Sequence, residues 1–340
     1  MRSRALLVPR SEGETTRQAL VSLGALRTDL AIRQEGDRLA LPLVADAEVP
    51  VEWGSVEERE FVVRPLAGPS DYRDLLDWSP EEKARLPRAF DVVGDIVLVR
   101  LPGELEPRRV EVGEALLRFV PGARIVGEDR GVRGEERLRV VERLAGTGSW
   151  ATRHRENQLE FEVDVEQAYF SPRLAREHAL VASEVRAGES VYDLCCGVGP
   201  FSVTIARHGR ARGITAVDLN PVAIALLRRT LARHGLSDRV RAVEGRVEGF
   251  AAEAPPADRV VLNLPREGIK YAPLVARLVA AGGQFRYYEV VPRDEVDRRG
   301  KVIESLLPPP GGFVLRSQRL VHPYSPSADL VSFLFERGRA

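Results

Sequence analysis

Asp193-Leu-Cys-Cys-Gly197-Val-Gly199-Pro-Phe201, followed by Ala216-Val-Asp218-Leu-Asn-Pro and later by Asn263-Leu-Pro265, decides how this chain is read. An apolar run over 190–194 enters a turn with two glycines. Residues 201–208 then resume with helical periodicity, so backbone N–H groups are presented at a helix N-terminus. Gly197 and Gly199 let the backbone approach a ligand where a Cβ would intrude. A dinucleotide-binding fingerprint also has Gly-x-Gly after a strand and an acidic residue further on. Here its third glycine position is Ser202, and Asp193 introduces the turn. A carboxylate ahead of Gly-x-Gly suits a ligand carrying an ammonium and a sulfonium, with no pyrophosphate to place on a helix dipole. S-adenosylmethionine is such a ligand, so the pattern suits it better than NAD, with an ordinary α/β turn that holds no ligand as the alternative. Asp218 ends the next apolar run, 213–217, where a carboxylate can accept both ribose hydroxyls.

Outward from this turn, strands at 190–194, 213–218, 240–243, 259–262 and 283–288 alternate with helices at 201–208, 221–234 and 272–280. The pattern predicts an α/β doubly wound parallel sheet. Residues 312–317 and 330–335 read as an antiparallel pair that closes it. The middle region is α+β: a strand over 90–100, a helix over 110–119 stopped by Pro121-Gly122, another strand from 123, and one over 159–165. At the N-terminus, 5–8 reads as a strand. Ser11 and Glu14 have capping-box spacing ahead of a helix through Leu23 that Gly24 ends, and 29–43 reads as a hairpin around Gln34-Glu-Gly-Asp37. Residues 48–55 read as a linker. The expected domains are therefore 1–55, 56–157 and 158–340.

The 340 residues are 44% hydrophobic and 29% charged, a balance that suits a well-cored chain. No apolar run reaches a membrane span, and the arginine-bearing N-terminus lacks the apolar core of a secretory signal, so a cytoplasmic location is expected. A formal net charge of +0 means that any nucleic-acid footprint must be local. Cys195 and Cys196 are adjacent, which disfavours a mutual disulfide and reads as small residues of the turn. The five histidines, His154, His178, His208, His234 and His322, lack metal-ligand spacing, so no metal is expected.

Asn263-Leu-Pro265 follows an apolar strand and so falls at the carboxyl edge of the sheet. An amide there can donate to a carbonyl and accept from a ring N–H, which is what holding a nucleobase edge requires; the proline stiffens the loop. The same tripeptide also serves as an ordinary strand-to-helix turn. Tyr169-Phe-Ser-Pro-Arg-Leu-Ala-Arg-Glu177 precedes the glycine turn. Glu177 lies one turn beyond Arg173, as a base or as half of an ion pair. Gly134-Glu-Glu-Arg137-Leu-Arg139 reads as a charged strand edge.

Together these segments resemble the archaeal and eukaryotic class of tRNA (guanine-37-N1)-methyltransferases. Further matching pieces are Val8-Pro with Glu35-Gly-Asp37, Leu86-Pro-Arg-Ala-Phe-Asp91, Leu144-Ala-Gly, His154-Arg-Glu-Asn157, Gly283-Gln-Phe-Arg-Tyr-Tyr and Tyr324-Ser-Pro. The resemblance spans nearly the whole chain and implies a Rossmann-like class I methyltransferase domain with S-adenosylmethionine as cofactor. It implies Glu177 as the base for guanine N1, Arg137 as partner of O6, Asn263 on the base edge, Pro265 in the loop and Tyr169 as a pocket wall. On the cofactor side it implies Asp193, Cys195, Gly197, Gly199, Pro200, Phe201, Asp218, Leu219, Asn220, Glu244, Gly245, Arg246 and Asn263. Its partner is tRNA, met at the anticodon loop and, through the N-terminal module, at the elbow; a monomer is expected. Departures from the family pattern are Arg246 where an aspartate is usual, Thr230 and His234 where asparagines are frequent, and Glu136 in place of an aromatic. The alternatives are an aminocarboxypropyl transferase or a methyltransferase of the wybutosine pathway, the first opposed by Asn263-Leu-Pro265, and a non-catalytic tRNA binder.

Overall fold

Residues 1–63, 69–308 and 312–339 are described in the computed structural model, which divides into two units, Met1–Asp74 and Leu75–Ala340. In the first unit, β1 (Arg2–Pro9), β2 (Arg33–Glu35), β3 (Arg38–Pro42) and β4 (Ser55–Glu60) form one sheet in the order β2-β3-β1-β4. The helix α1 (Gly13–Ser22) buries Leu20 among Leu6, Val8, Leu41 and Leu43. Gly24, at φ +65°, follows its end as read, and the hairpin forms at Gly36. Two expectations change. The helix starts at Gly13 after a 3-10 turn, with no side-chain cap bond, so the Ser11/Glu14 box does not form. The stretch 48–55 does not link two units: it holds a short turn at Val51–Trp53 and leads into β4, which pairs antiparallel with β1, so the unit runs on past residue 55.

The second unit opens with α2 (Pro80–Ala84), started by a reciprocal Ser79/Glu82 capping box. The apolar run at 90–100 is two strands, β5 (Phe90–Val93) and β6 (Ile96–Val99), rather than one. Gly94 makes the reversal at φ +59°, and a Cβ there would lie 2.5 Å from the Arg153 carbonyl oxygen. With α3 (Arg109–Phe119), β7 (Ile125–Arg133) and β8 (Leu138–Gly146) they complete a sheet in the order β5-β6-β7-β8. Next come β9 (Ala151–Glu156) and β10 (Leu159–Asp164), a two-stranded ribbon turning at Asn157 and Gln158, both at positive φ. The expected cut at 157/158 thus falls inside a hairpin.

The remaining elements are α4 (Ala175–Glu184), β11 (Ser190–Leu194), α5 (Pro200–His208), β12 (Gly213–Asp218), α6 (Pro221–Arg233), β13 (Val240–Glu244), α7 (Val247–Glu253), β14 (Ala257–Leu262), α8 (Ala272–Ala276), β15 (Val279–Pro292), α9 (Val296–Leu306), β16 (Phe313–Pro323) and β17 (Ala328–Arg337). The sheet runs β13-β12-β11-β14-β15-β17-β16, parallel through β15 and antiparallel over the last two strands. Its central strands are apolar and buried, as a sheet covered by helices on both faces requires. The helix expected to 280 stops at Ala276, because Val279 already pairs with Ala257. Thr230 and His234 accept the Glu162 and Glu160 backbone N–H groups at 3.0 and 3.1 Å, so these two departures fasten α6 to β10. The chain leaves β11 toward β12 and β13 and returns on its other side at β14. That reversal opens a crevice at the carboxyl ends of β11 and β14.

Candidate active site

The turn after β11 winds through Cys195, Gly197 and Gly199 at φ +59°, +56° and +76°. The Gly197 N–H donates to Asp218 Oδ2 at 2.7 Å and the Asn220 N–H to Oδ1 at 2.9 Å, so the carboxylate at the end of β12 is locked to the turn. Burial pushes the Asp218 carboxyl upward, and these backbone donors oppose the shift. A Cβ on Gly197 would sit 3.3 Å from the Tyr169 carbonyl oxygen, whereas one on Gly199 would strike the Leu227 side chain at 2.4 Å. Gly199 therefore serves helix packing. Asp193 is fully buried and accepts the Ser202 N–H at 3.1 Å and its hydroxyl at 2.7 Å, inside the first turn of α5. Burial raises its carboxyl to about 6.

A cavity of about 1090 Å³ occupies the crevice and collects Arg137, Tyr169, Cys195, Gly197, Pro200, Asp218, Leu219, Asn220, Gly245, Arg246, Asn263 and Pro265. Glu177, Asp193, Gly199, Phe201 and Glu244 are not on its wall, and Glu248 rather than Glu244 lines its α7 side. Asn220 is there in backbone only as far as polar groups go: its amide accepts from Val222 and Ala223 as the α6 cap and donates to the Gln167 carbonyl at 2.7 Å. Asn263 Oδ1 is buried and lacks a hydrogen-bond partner among the described residues. Arg137, in the turn between β7 and β8, has positive φ and makes no side-chain hydrogen bond or ion pair among the described residues. By contrast Arg139 is committed to Asp129 at 2.5 Å and the Phe170 carbonyl at 3.0 Å, with its guanidinium 5.3 Å from the Tyr169 ring centre. Arg246 pairs with Glu135 of the Arg137 turn. An unused acceptor, an unused guanidinium and a carboxylate with remaining lone pairs face one space, which suits a planar base edge beside a ribose.

Behind that wall, Glu177 is 3% exposed. Its Oε1 accepts from the Tyr288 hydroxyl and from Arg319 Nη2, each at 2.7 Å, and Arg286 Nη1 lies 4.0 Å away. Arg173 turns instead to Asp91 at 2.7 Å, so the ion pair considered for 173 and 177 does not form. His178 Nδ1 meets Glu156 Oε1 at 2.7 Å. Tyr288 and Glu156 belong to segments already singled out in the sequence; Arg139 was read as a strand edge, and Arg319 carried no signal. No helix among the described residues is long and apolar enough to cross a membrane.

Three family models match in succession: the tRNA methyltransferase 5 N-terminal domain over residues 5–51, the TYW2 N-terminal domain over 72–149 and the TRM5/TYW2 methyltransferase domain over 152–306. Among curated proteins, the chain is 32% identical to the Pyrococcus abyssi tRNA (guanine(37)-N(1))-methyltransferase Trm5b, across 86% of this chain and 85% of that protein. It is 29% identical to the Methanocaldococcus jannaschii Trm5b, across 84% and 86%. Among solved structures, Pyrococcus abyssi Trm5b superposes with a TM-score of 0.77 at 29% identity, covering 99% of each chain. A complex of aTrm5 with tRNALeu gives 0.74 at 28% identity, covering 98% of this chain and 99% of that one.

Proposed function

The chain belongs to the Trm5-type tRNA (guanine-37-N1)-methyltransferases, and on that premise we propose that it transfers a methyl group from S-adenosylmethionine to N1 of guanosine 37 in tRNA, beside the anticodon. One observation carries the reading into the site: the glycine turn, Asp218, Asn263-Leu-Pro265 and Arg137, which is unpaired among the described residues, line a single cavity. The cofactor, when bound, supplies an electrophilic methyl on a sulfonium. Asp218 retains lone pairs beyond its two backbone bonds for ribose hydroxyls, and Gly197 leaves room beside it.

The protein's remaining work concerns the purine. Guanine N1 carries a proton and is a poor nucleophile until it leaves, and the charge that builds up falls largely on O6. Arg137 is the donor for O6, and a preformed donor there lowers the barrier without reorganisation. Asn263 Oδ1 accepts from the purine N–H edge, Pro265 stiffens that loop, and Tyr169 forms a wall. Glu177 takes the N1 proton on Oε2, since both of its hydrogen bonds fall on Oε1. It lies behind the wall, so the purine must be drawn toward it, as for catalytic hydrogen bonds that tighten only in the substrate complex.

Extruding the purine from the anticodon-loop stack costs a few kcal/mol. Contacts elsewhere on tRNA offset this, including those of the N-terminal unit at the elbow and of the middle α+β region near the anticodon. The enzyme acts as a monomer in the cytoplasm. The deciding experiment is mass analysis of transcripts carrying guanosine or adenosine at position 37 after incubation with labelled S-adenosylmethionine. A methyl increment on the guanosine transcript alone is expected. Modification of both, or an aminocarboxypropyl increment instead, would defeat the reading.

A further inference from the structure

Glu177 is gripped from far along the chain. Tyr288 on β15 and Arg319 on β16 lie 111 and 142 residues downstream, and both donate to the same carboxylate oxygen. The other charged groups about it are few. Arg286 on β15 stands 4.0 Å away and is itself bound to Glu184 of α4 and, at 2.9 Å, to Ser332 of β17. His178, next in the helix, is turned toward Glu156. Arg286 and Tyr288 are fully buried, but the Arg319 side chain is 38% exposed, so it can be altered without opening the core.

A carboxylate removed from water is costly to bury unless cations and donors meet it. Two donors converging on Oε1 also fix the rotation of the group and leave Oε2 as the basic oxygen. Neither effect is available from α4 alone. We propose that Arg319, assisted by Tyr288, is a positioning residue for proton removal: it fixes the rotation of the Glu177 carboxylate and leaves Oε2 as the free oxygen for guanine N1. This rests on Glu177 being the base. In the step itself the N1–H bond breaks toward Oε2, and the electron pair left on N1 forms the new bond to the methyl carbon. The bond from that carbon to sulfur breaks with its electrons remaining on sulfur. The proton on Glu177 passes to solvent after product release.

The test is single-turnover methylation of a guanosine-37 transcript by the full-length protein, for wild type, Arg319→Gln, Arg319→Lys, Tyr288→Phe and Glu177→Gln. Arg319→Gln is expected to be about tenfold slower, because the carboxylate loses one of the two donors that fix its rotation. KM for tRNA and for S-adenosylmethionine should hold within about twofold, and Arg319→Lys should recover most of the rate. Tyr288→Phe keeps its ring packed 5.6 Å from Phe201 and should be slower by a similar factor, because it removes the other donor. A deficit in Arg319→Gln that is confined to KM, or that Arg319→Lys does not relieve, overturns the proposal. So does a wild-type rate in Arg319→Gln while Glu177→Gln is slow. If Glu177→Gln itself keeps the wild-type rate, the assignment of the base is what has failed.

Discussion

At Asp193 a single buried carboxyl couples folding to pH. Its ordinary value of 3.8 rises to about 6 in the fold, where burial outweighs the Ser202 bonds. The folded state therefore holds this proton more tightly than the unfolded chain. Its contribution to stability is fully present below about 3.8 and is lost as pH climbs through about 6. Asp193→Asn keeps an oxygen for Ser202 and should remove that dependence. The variant should gain up to about 3 kcal/mol over wild type in denaturant unfolding at about pH 7, and almost none at about pH 4. A gap that stays the same at both would show that the residue does not titrate with folding. At Glu177, exchange for glutamine should slow single-turnover methylation by about 10²–10⁴ while S-adenosylmethionine affinity, measured by calorimetry, stays within error. Both residues were legible as acidic positions beside the glycine turn. Their settings were not: sequence spacing places a carboxylate on an element but does not say whether Ser202 or a ligand will meet it.

Elements differed in how openly the chain announces them. The strands β11 and β12 have the bounds expected from their apolar runs, because each ends at a loop built from glycine, asparagine or proline. The apolar run at 90–100 concealed a hairpin, since Gly94-Asp95 interrupts it by only two residues and both halves are rich in β-branched apolar residues. Gly94→Ala is expected to destabilise the second unit by at least about 1–3 kcal/mol: the residue needs positive φ, and its methyl would press on backbone of β9. Thermal melts of the purified variant decide it; an unchanged midpoint would mean that β9 yields freely. Asn220→Ala should cost about 0.5–2 kcal/mol, through the lost cap of α6 together with the bond to Gln167. A melt that does not move would imply that the cap is replaced. Helix α8 was overread because the alanine- and leucine-rich stretch after Ala272 satisfies helical periodicity while Val279 is claimed by pairing with β14.

For the molecule as a whole, the parallel sheet and its crevice could be read from alternation alone, but the true edge of the N-terminal unit could not. Acidic β4 is polar at every position but Val56, almost wholly exposed and without apolar alternation, and only its register against β1 reveals it as sheet. A deletion of residues 1–74 should therefore leave a folded remainder whose affinity for full-length tRNA falls by tenfold or more, about 1.4 kcal/mol, with little change in chemistry on a saturating anticodon stem-loop. Filter binding against the two RNAs measures this. Equal affinity before and after deletion would remove the elbow-reading role.

The placement of Arg319 bears on when a newly made molecule becomes competent. β17 is translated after β16 yet lies between it and β15, so β16 cannot settle at its final distance until the later strand has been threaded in. The glycine turn and Asp218 are more than a hundred residues ahead of Arg319 as the chain leaves the ribosome. On the roles proposed above, the cofactor side of the crevice is therefore synthesised early, whereas the grip on Glu177 is among the last contacts to form. A nascent chain would then pass through an interval in which its methyl donor can be held but not used.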